Sequence, residues 1–108
     1  MIVEEQQYKV QVGKVTALLD AYEQRGLAIL RRNLGMLLGC WSSDVGGDMD
    51  VMIQMWAFQD ASDRAERRAA LATDTDWQSF ASEFGHLITE RRMRLLTPAA
   101  FSPAVVRE

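Results

Sequence analysis

With 108 residues the chain has room for one domain, and a fold of that size buries roughly 65% of the surface its unfolded chain exposes. A formal charge of -3, from 12 Lys and Arg against 15 Asp and Glu, excludes the broad basic footprint of a nucleic-acid binder. A single cysteine excludes an intrachain disulfide, and no apolar run reaches the ~18 residues of a transmembrane helix.

The arginine pairs Arg31-Arg32, Arg67-Arg68 and Arg91-Arg92 read as a dispersed charged surface. Cys40 lies in an apolar strand pattern and reads as a small buried hydrophobe, with no signature of a catalytic thiol around it. The lack of a disulfide framework suits a reducing compartment. The opening Ile2-Val3 runs straight into acidic residues, unlike a signal peptide. A cytoplasmic location is expected.

Residues 2–10 read as a strand with an unusual middle, since Glu4 to Gln7 are all polar. Alternation puts Ile2, Glu4, Gln6, Tyr8 and Val10 on one face and Val3, Glu5, Gln7 and Lys9 on the other. A turn at Gly13 leads to a helix from about Lys14 to Asn33. Its stripe is Val15, Leu18, Leu19, Tyr22, Gly26 and Ile29. Gly26 inside the stripe permits either a bend or a close approach to the sheet, and Gly35 ends the helix.

Residues 36–44 read as the second strand, Val45 to Asp48 as a glycine-rich hairpin turn, and residues 50–58 as the third strand. Asp60 is an N-cap for a helix to about Ala72, with Asp63 in its first turn. The stretch Thr73 to Asp76 interrupts that helix and offers a second N-cap. Trp77, Phe80, Ala81 and Phe84 then form an amphipathic face, ended by Gly85. Residues 87–97 read as the last strand, whose Arg91, Arg92 and Arg94 suit a sheet edge. Pro98, Pro103 and the terminal Arg107-Glu108 mark an irregular tail.

The order β-α-β-β-α-β gives an α+β, ferredoxin-like fold with a four-stranded antiparallel sheet. The expected sheet order is fourth, first, third, second. The domain is expected over residues 1–97, with 98–108 packed on the domain or on a partner subunit. Helices cover one sheet face. The other carries enough Met, Trp, Phe and Leu to need cover, so a homodimer is expected.

Burying a carboxylate or an amide without partners costs several kcal/mol (roughly 2–7 for the amide), so Glu4, Gln6 and Tyr8 must meet water, each other or a ligand. The neighbouring third strand offers Gln54 and Trp56 on a common parity. These five residues line one candidate cavity, polar with an aromatic wall, of the kind that holds a small organic molecule. A satisfied hydrogen-bond network or trapped water would satisfy the same residues. Arg32 is added as an anchor for an anionic ligand, and His86, the single histidine, as a possible base. One histidine without a Cys or His partner suggests no metal site. No cofactor is expected.

The chain resembles the NIPSNAP family over about residues 2 to 103. The resemblance rests on an ordered set: Glu4-x-Gln6-x-Tyr8, Val12-Gly13-Lys14, Arg32-x-x-Gly35-x-Leu37-Leu38-Gly39, Val51 to Phe58, Asp63-Arg64, Arg68 to Leu71, Asp76-Trp77-x-x-Phe80, and Pro98, Phe101 to Pro103. It implies the dimeric α/β barrel fold and little mechanism. Relatives often carry Arg in place of Gln6 and His in place of Gln54, so any chemistry done there is in doubt in this chain. The same architecture hosts cofactor-independent monooxygenases and haem-degrading enzymes, a likeness of fold alone. The expectation is a family member that binds a small organic molecule. The alternatives are a cofactor-free oxygenase or isomerase on an aromatic or polyketide-like substrate, and a non-enzymatic interaction module.

Overall fold

A computed structural model describes residues 1–103; the tail residues Arg107 and Glu108 lie outside the described residues. The strands are β1 (Ile2–Val10), β2 (Met36–Ser42), β3 (Val51–Phe58) and β4 (Ile88–Leu96). The helices are α1 (Val15–Ala21), α2 (Leu27–Leu34), α3 (Ala61–Thr73) and α4 (Thr75–Phe84). The sheet order is β2-β3-β1-β4, all pairs antiparallel, as the element order requires.

The first helix differs in detail from its expected form. A π-helical turn, Tyr22–Gly26, joins α1 to α2. Gly26 does permit a close approach, but to α4 rather than to the sheet. A Cβ built on it would lie 2.7 Å from Cζ of Phe80. Phe80 itself is held by Tyr22, Trp77 and Phe84, with ring centroids 5.0, 5.5 and 5.0 Å away. Gly35 ends α2 at φ +89°, a conformation that side chains rarely adopt.

Asp60 caps α3 by accepting from the Asp63 amide at 2.8 Å. Asp74 caps α4 by accepting from the Asp76 amide at 2.9 Å. Gly85 ends α4 as its C-cap and, at φ -60°, opens a short 3-10 turn, Gly85–Leu87. The β2–β3 connection is longer than the expected tight turn and spans residues 43–50.

Alternation along β1 and β3 sorts the two sheet faces. Tyr8, Val10, Met52, Trp56 and Phe58 face the helices and pack with Leu18, Leu30, Leu34, Leu71 and Phe80 in one core. The opposite face has no helix over it. It carries Met36 and Trp41 from β2 and Val51, Ile53 and Met55 from β3, with a charged half on β1 and β4. There Arg94 Nε donates to Glu5 at 2.9 Å.

Cys40 is exposed rather than buried, because β2 is a sheet edge without a second neighbour. In the described part of the tail Pro98 is half-buried and Phe101 is 93% exposed.

Candidate functional site

The antiparallel register of β1 and β3 places Glu4 opposite Trp56, Gln6 opposite Gln54 and Tyr8 opposite Met52. Five of the seven candidate residues therefore converge: Glu4, Gln6, Tyr8, Gln54 and Trp56 are all buried on the helix-facing side. The other two do not join them. Arg32 is half exposed and binds Asp74 and Asp76 through Nη2 at 2.8 and 2.9 Å. His86 is exposed in the 3-10 turn, where its backbone carbonyl accepts from Gln11 Nε2 at 2.8 Å.

The interior around the five is filled rather than hollow. Glu4 has no solvent exposure and meets two arginines from α3. Arg64 Nε donates to Glu4 Oε2 at 2.9 Å. Arg68 Nε donates to the same oxygen at 3.3 Å, and Arg68 Nη2 donates to Oε1. Burial pushes the Glu4 carboxyl up, but the hydrogen bond and charge of Arg68, with Gln6 and Arg64, outweigh it. Glu4 is held below its ordinary value and stays ionised.

The amides form a second layer. Trp56 Nε1 donates to Gln54 Oε1 at 3.2 Å, and the Gln54 side chain also meets the thioether of Met52, at 3.9 Å, and the thiol of Cys40 on the neighbouring strand. Gln6 Nε2 donates to Glu4 Oε1. Its carbonyl oxygen, Gln6 Oε1, is buried without a hydrogen-bond partner. Native proteins rarely leave such an acceptor unpaired.

Beside this acceptor the helices leave β4 uncovered. Met93 pairs with Gln6 and Leu95 with Glu4 on the helix-facing side, yet these side chains are 47% and 46% exposed. Arg64 Nη2 lies 4.0 Å from the Met93 sulfur. At the far end, the Arg91 guanidinium stacks 5.3 Å from the Tyr8 ring centroid. Burial pushes the Tyr8 hydroxyl up, against the charges of Arg91 and Arg68. Met93 and Leu95 thus lie exposed on the helix-facing side of β4, with Arg64 of α3 beside Met93 and Arg91 at the Tyr8 end.

Arg64, Arg68, Arg91 and Met93 were not among the expected site residues. One signal did point to the α3 pair. A carboxylate in a central strand demands cations, and Arg64 and Arg68 stand four apart on one helix face. Reading Arg67-Arg68 and Arg91-Arg92 as surface charge was correct only in part. Arg67 pairs with Asp63, but Arg68 and Arg91 turn to the site. Among the described residues no group of three or more His, Cys, Asp or Glu could hold a metal ion.

Comparison with known proteins gives a consistent picture. The sequence profile of NIPSNAP matches residues 3–103. Protein NipSnap homolog 3A of Homo sapiens is 34% identical over 71 residues, which are 66% of this chain and 28% of the human protein. The chain thus matches under a third of that relative's length. A crystal structure of a NIPSNAP family protein from Agrobacterium tumefaciens superposes with a TM-score of 0.91 at 39% identity, covering 94% of this chain and 96% of that one. A NIPSNAP domain protein from Burkholderia xenovorans gives 0.91 at 36% identity, covering 96% and 100%. An antibiotic biosynthesis monooxygenase superposes with a TM-score of 0.62 at 9% identity, over 92% of this chain and 99% of that chain, a likeness of fold alone.

Proposed function

The chain belongs to the NIPSNAP family, and from that premise we propose that it is a homodimer that binds a small organic molecule between α3 and β4. The observation that carries this reading is the buried, unpartnered Gln6 Oε1, on the strand next to the exposed Met93. A ligand N–H or O–H would complete it. Gln6 and Gln54 are neutral amides, so the residues around the acceptor orient a ligand rather than exchange protons with it. Glu4 is engaged by two arginines and held in its ionised form, which removes it as a general acid. Binding without a reaction is the function these groups serve best.

The homodimer rests on the sheet face without helices. Trp41 is 48% exposed there, next to Ile53 and Met55, on one continuous apolar half-face. A second copy is self-complementary cover for such a face. The exposed Phe101 of the tail would pack on the partner. The domain is taken as residues 1–97, with the tail as an accessory to the interface. Among the described residues no helix is long and apolar enough to cross a membrane, and the proposed location is the cytoplasm.

A specific observation favours a second reading, an interaction module without a ligand. The ion-paired Glu4 fills the interior, and the apolar face remains open. Thermal-shift screening of small organic ligands against wild type and Gln6→Leu separates the two. Binding predicts a shift of melting temperature in wild type that disappears in Gln6→Leu, whose unliganded stability is equal or higher. No shift with any ligand, or a shift retained by Gln6→Leu, overturns the binding reading. Light scattering tests the dimer, which Trp41→Lys should dissociate. Trp41 uncovers roughly half an indole, about 2–3 kcal/mol per protomer at 25 cal/mol per Å². A wild-type monomer at micromolar concentration overturns the homodimer.

A further inference from the structure

The geometry points to a ligand class for the site between α3 and β4: a small organic carboxylate whose acid group lies among Arg64, Arg68 and Arg91 and whose apolar body rests on Met93 and Leu95. This inference rests on the ligand-binding reading and narrows it.

Charge balance is the first support. Arg64, Arg68 and Arg91 bring three guanidiniums to the helix-facing side of β1 and β4, where Glu4 answers Arg64 and Arg68. Glu4 occupies the inner faces of Arg64 and Arg68. Their outer faces remain open, with 23% and 28% of each side chain exposed. Among the described residues Arg91 makes no ion pair, and its partner is the Tyr8 ring. The three cations against one anion leave a local excess of positive charge in a protein whose net charge is -3. An anion that enters gains charge-assisted hydrogen bonds from donors already held in place.

Polarity along β4 is the second support. Met93 and Leu95 are exposed apolar side chains on a strand whose opposite face carries Glu90, Arg92 and Arg94. Inorganic phosphate or sulfate would leave them in water, whereas an organic acid covers them. The unpartnered Gln6 Oε1 lies on the next strand, directly across from Met93. It accepts from an N–H or O–H carried by the same ligand. The matching chemistry is therefore an apolar acid bearing one donor, such as a hydroxy or amino aromatic acid.

The test is calorimetric titration of the full-length protein with 4-hydroxyphenylacetate and phenylacetate, each against its neutral amide, and with inorganic phosphate. The expected order is 4-hydroxyphenylacetate, then phenylacetate, then the amides, with at least about tenfold between acid and amide. Arg91→Gln should weaken acid binding far more than amide binding, with a small fall in melting temperature from the lost stack on Tyr8. Salt should weaken acid binding more than amide binding. Equal binding of acids and amides overturns the carboxylate assignment and leaves the binding reading standing. Phosphate binding without organic-acid binding overturns the apolar part. Binding of none of these probes overturns the carboxylate assignment, and the thermal-shift screen decides the binding reading separately.

Discussion

Replacing Glu4 by Gln removes one charge from the interior and almost nothing of its shape. In the wild type Glu4 accepts from Arg64 Nε at 2.9 Å and from Arg68 Nε at 3.3 Å, besides closer contacts from Arg68 Nη2 and Gln6 Nε2. The amide keeps one acceptor oxygen, but its NH2 group turns donors towards two guanidiniums. Breaking a buried ion pair costs about 3–5 kcal/mol. Arg64 and Arg68 keep 23% and 28% of their exposure, so water takes up part of the loss. The expected destabilisation is about 2–3 kcal/mol, or roughly 8–15 °C in melting temperature. Its pH dependence follows from the depressed Glu4 carboxyl. A group depressed on folding contributes stability above its unfolded value and loses it as pH falls through the folded one. The gap between wild type and Glu4→Gln should therefore be full near neutral pH and shrink below the ordinary carboxyl value of 4.5. Urea denaturation of both proteins across the acid range measures it. A gap that persists unchanged through strong acid, or a variant as stable as wild type at neutral pH, refutes the charge argument.

Two further predictions address the scaffold. Gly26→Ala should lower the melting temperature: the methyl meets Phe80 at 2.7 Å, and overpacking of about 1–3 kcal/mol exceeds a helix-propensity gain of ~1 kcal/mol. A raised melting temperature would show that Phe80 yields freely. Asp74→Ala should destabilise α4, leaving Arg32 to Asp76 and Asn33 to the Ile29 carbonyl. The hydrogen bonds from Asn33 and then Arg32 lower the Asp74 carboxyl from 3.8 to about 2. Its contribution is present above 3.8 and disappears as pH falls towards 2, so thermal melts of variant and wild type should converge in that window. A gap that does not narrow there contradicts the assignment.

The sequence made the sheet legible and its interior only partly so. Strand parity alone placed Glu4, Gln6, Tyr8, Gln54 and Trp56 on one face, because period-two alternation and antiparallel pairing leave little freedom once β1 and β3 are neighbours. What filled the space was not legible. Arg64 and Arg68 act 60 and 64 residues away from Glu4, and their contact depends on the rotation of α3 over the sheet. Local patterning constrains that rotation loosely, since α3 buries Leu71 alone among its residues. Arg32 was misplaced for a related reason. Its helix position was right, but the Asp74 N-cap of α4 offered a nearer carboxylate than any ligand. The apolar pattern around Cys40 points to burial, but the expected sheet order already sets its strand at an edge, and that position decides its exposure. The π-helical turn before Gly26 had no counterpart in the hydrophobic stripe, which continues through it.

The most direct test of the central claim follows the side-chain amide of Gln6 by NMR during a titration with 4-hydroxyphenylacetate. Occupation of the site predicts that the Gln6 NH2 resonances move saturably as the neighbouring carbonyl gains a donor, in step with the backbone amides of Met93 and Leu95. Resonances of Gln6 that stay fixed while the ligand binds elsewhere, or a spectrum that does not change at all, would contradict it.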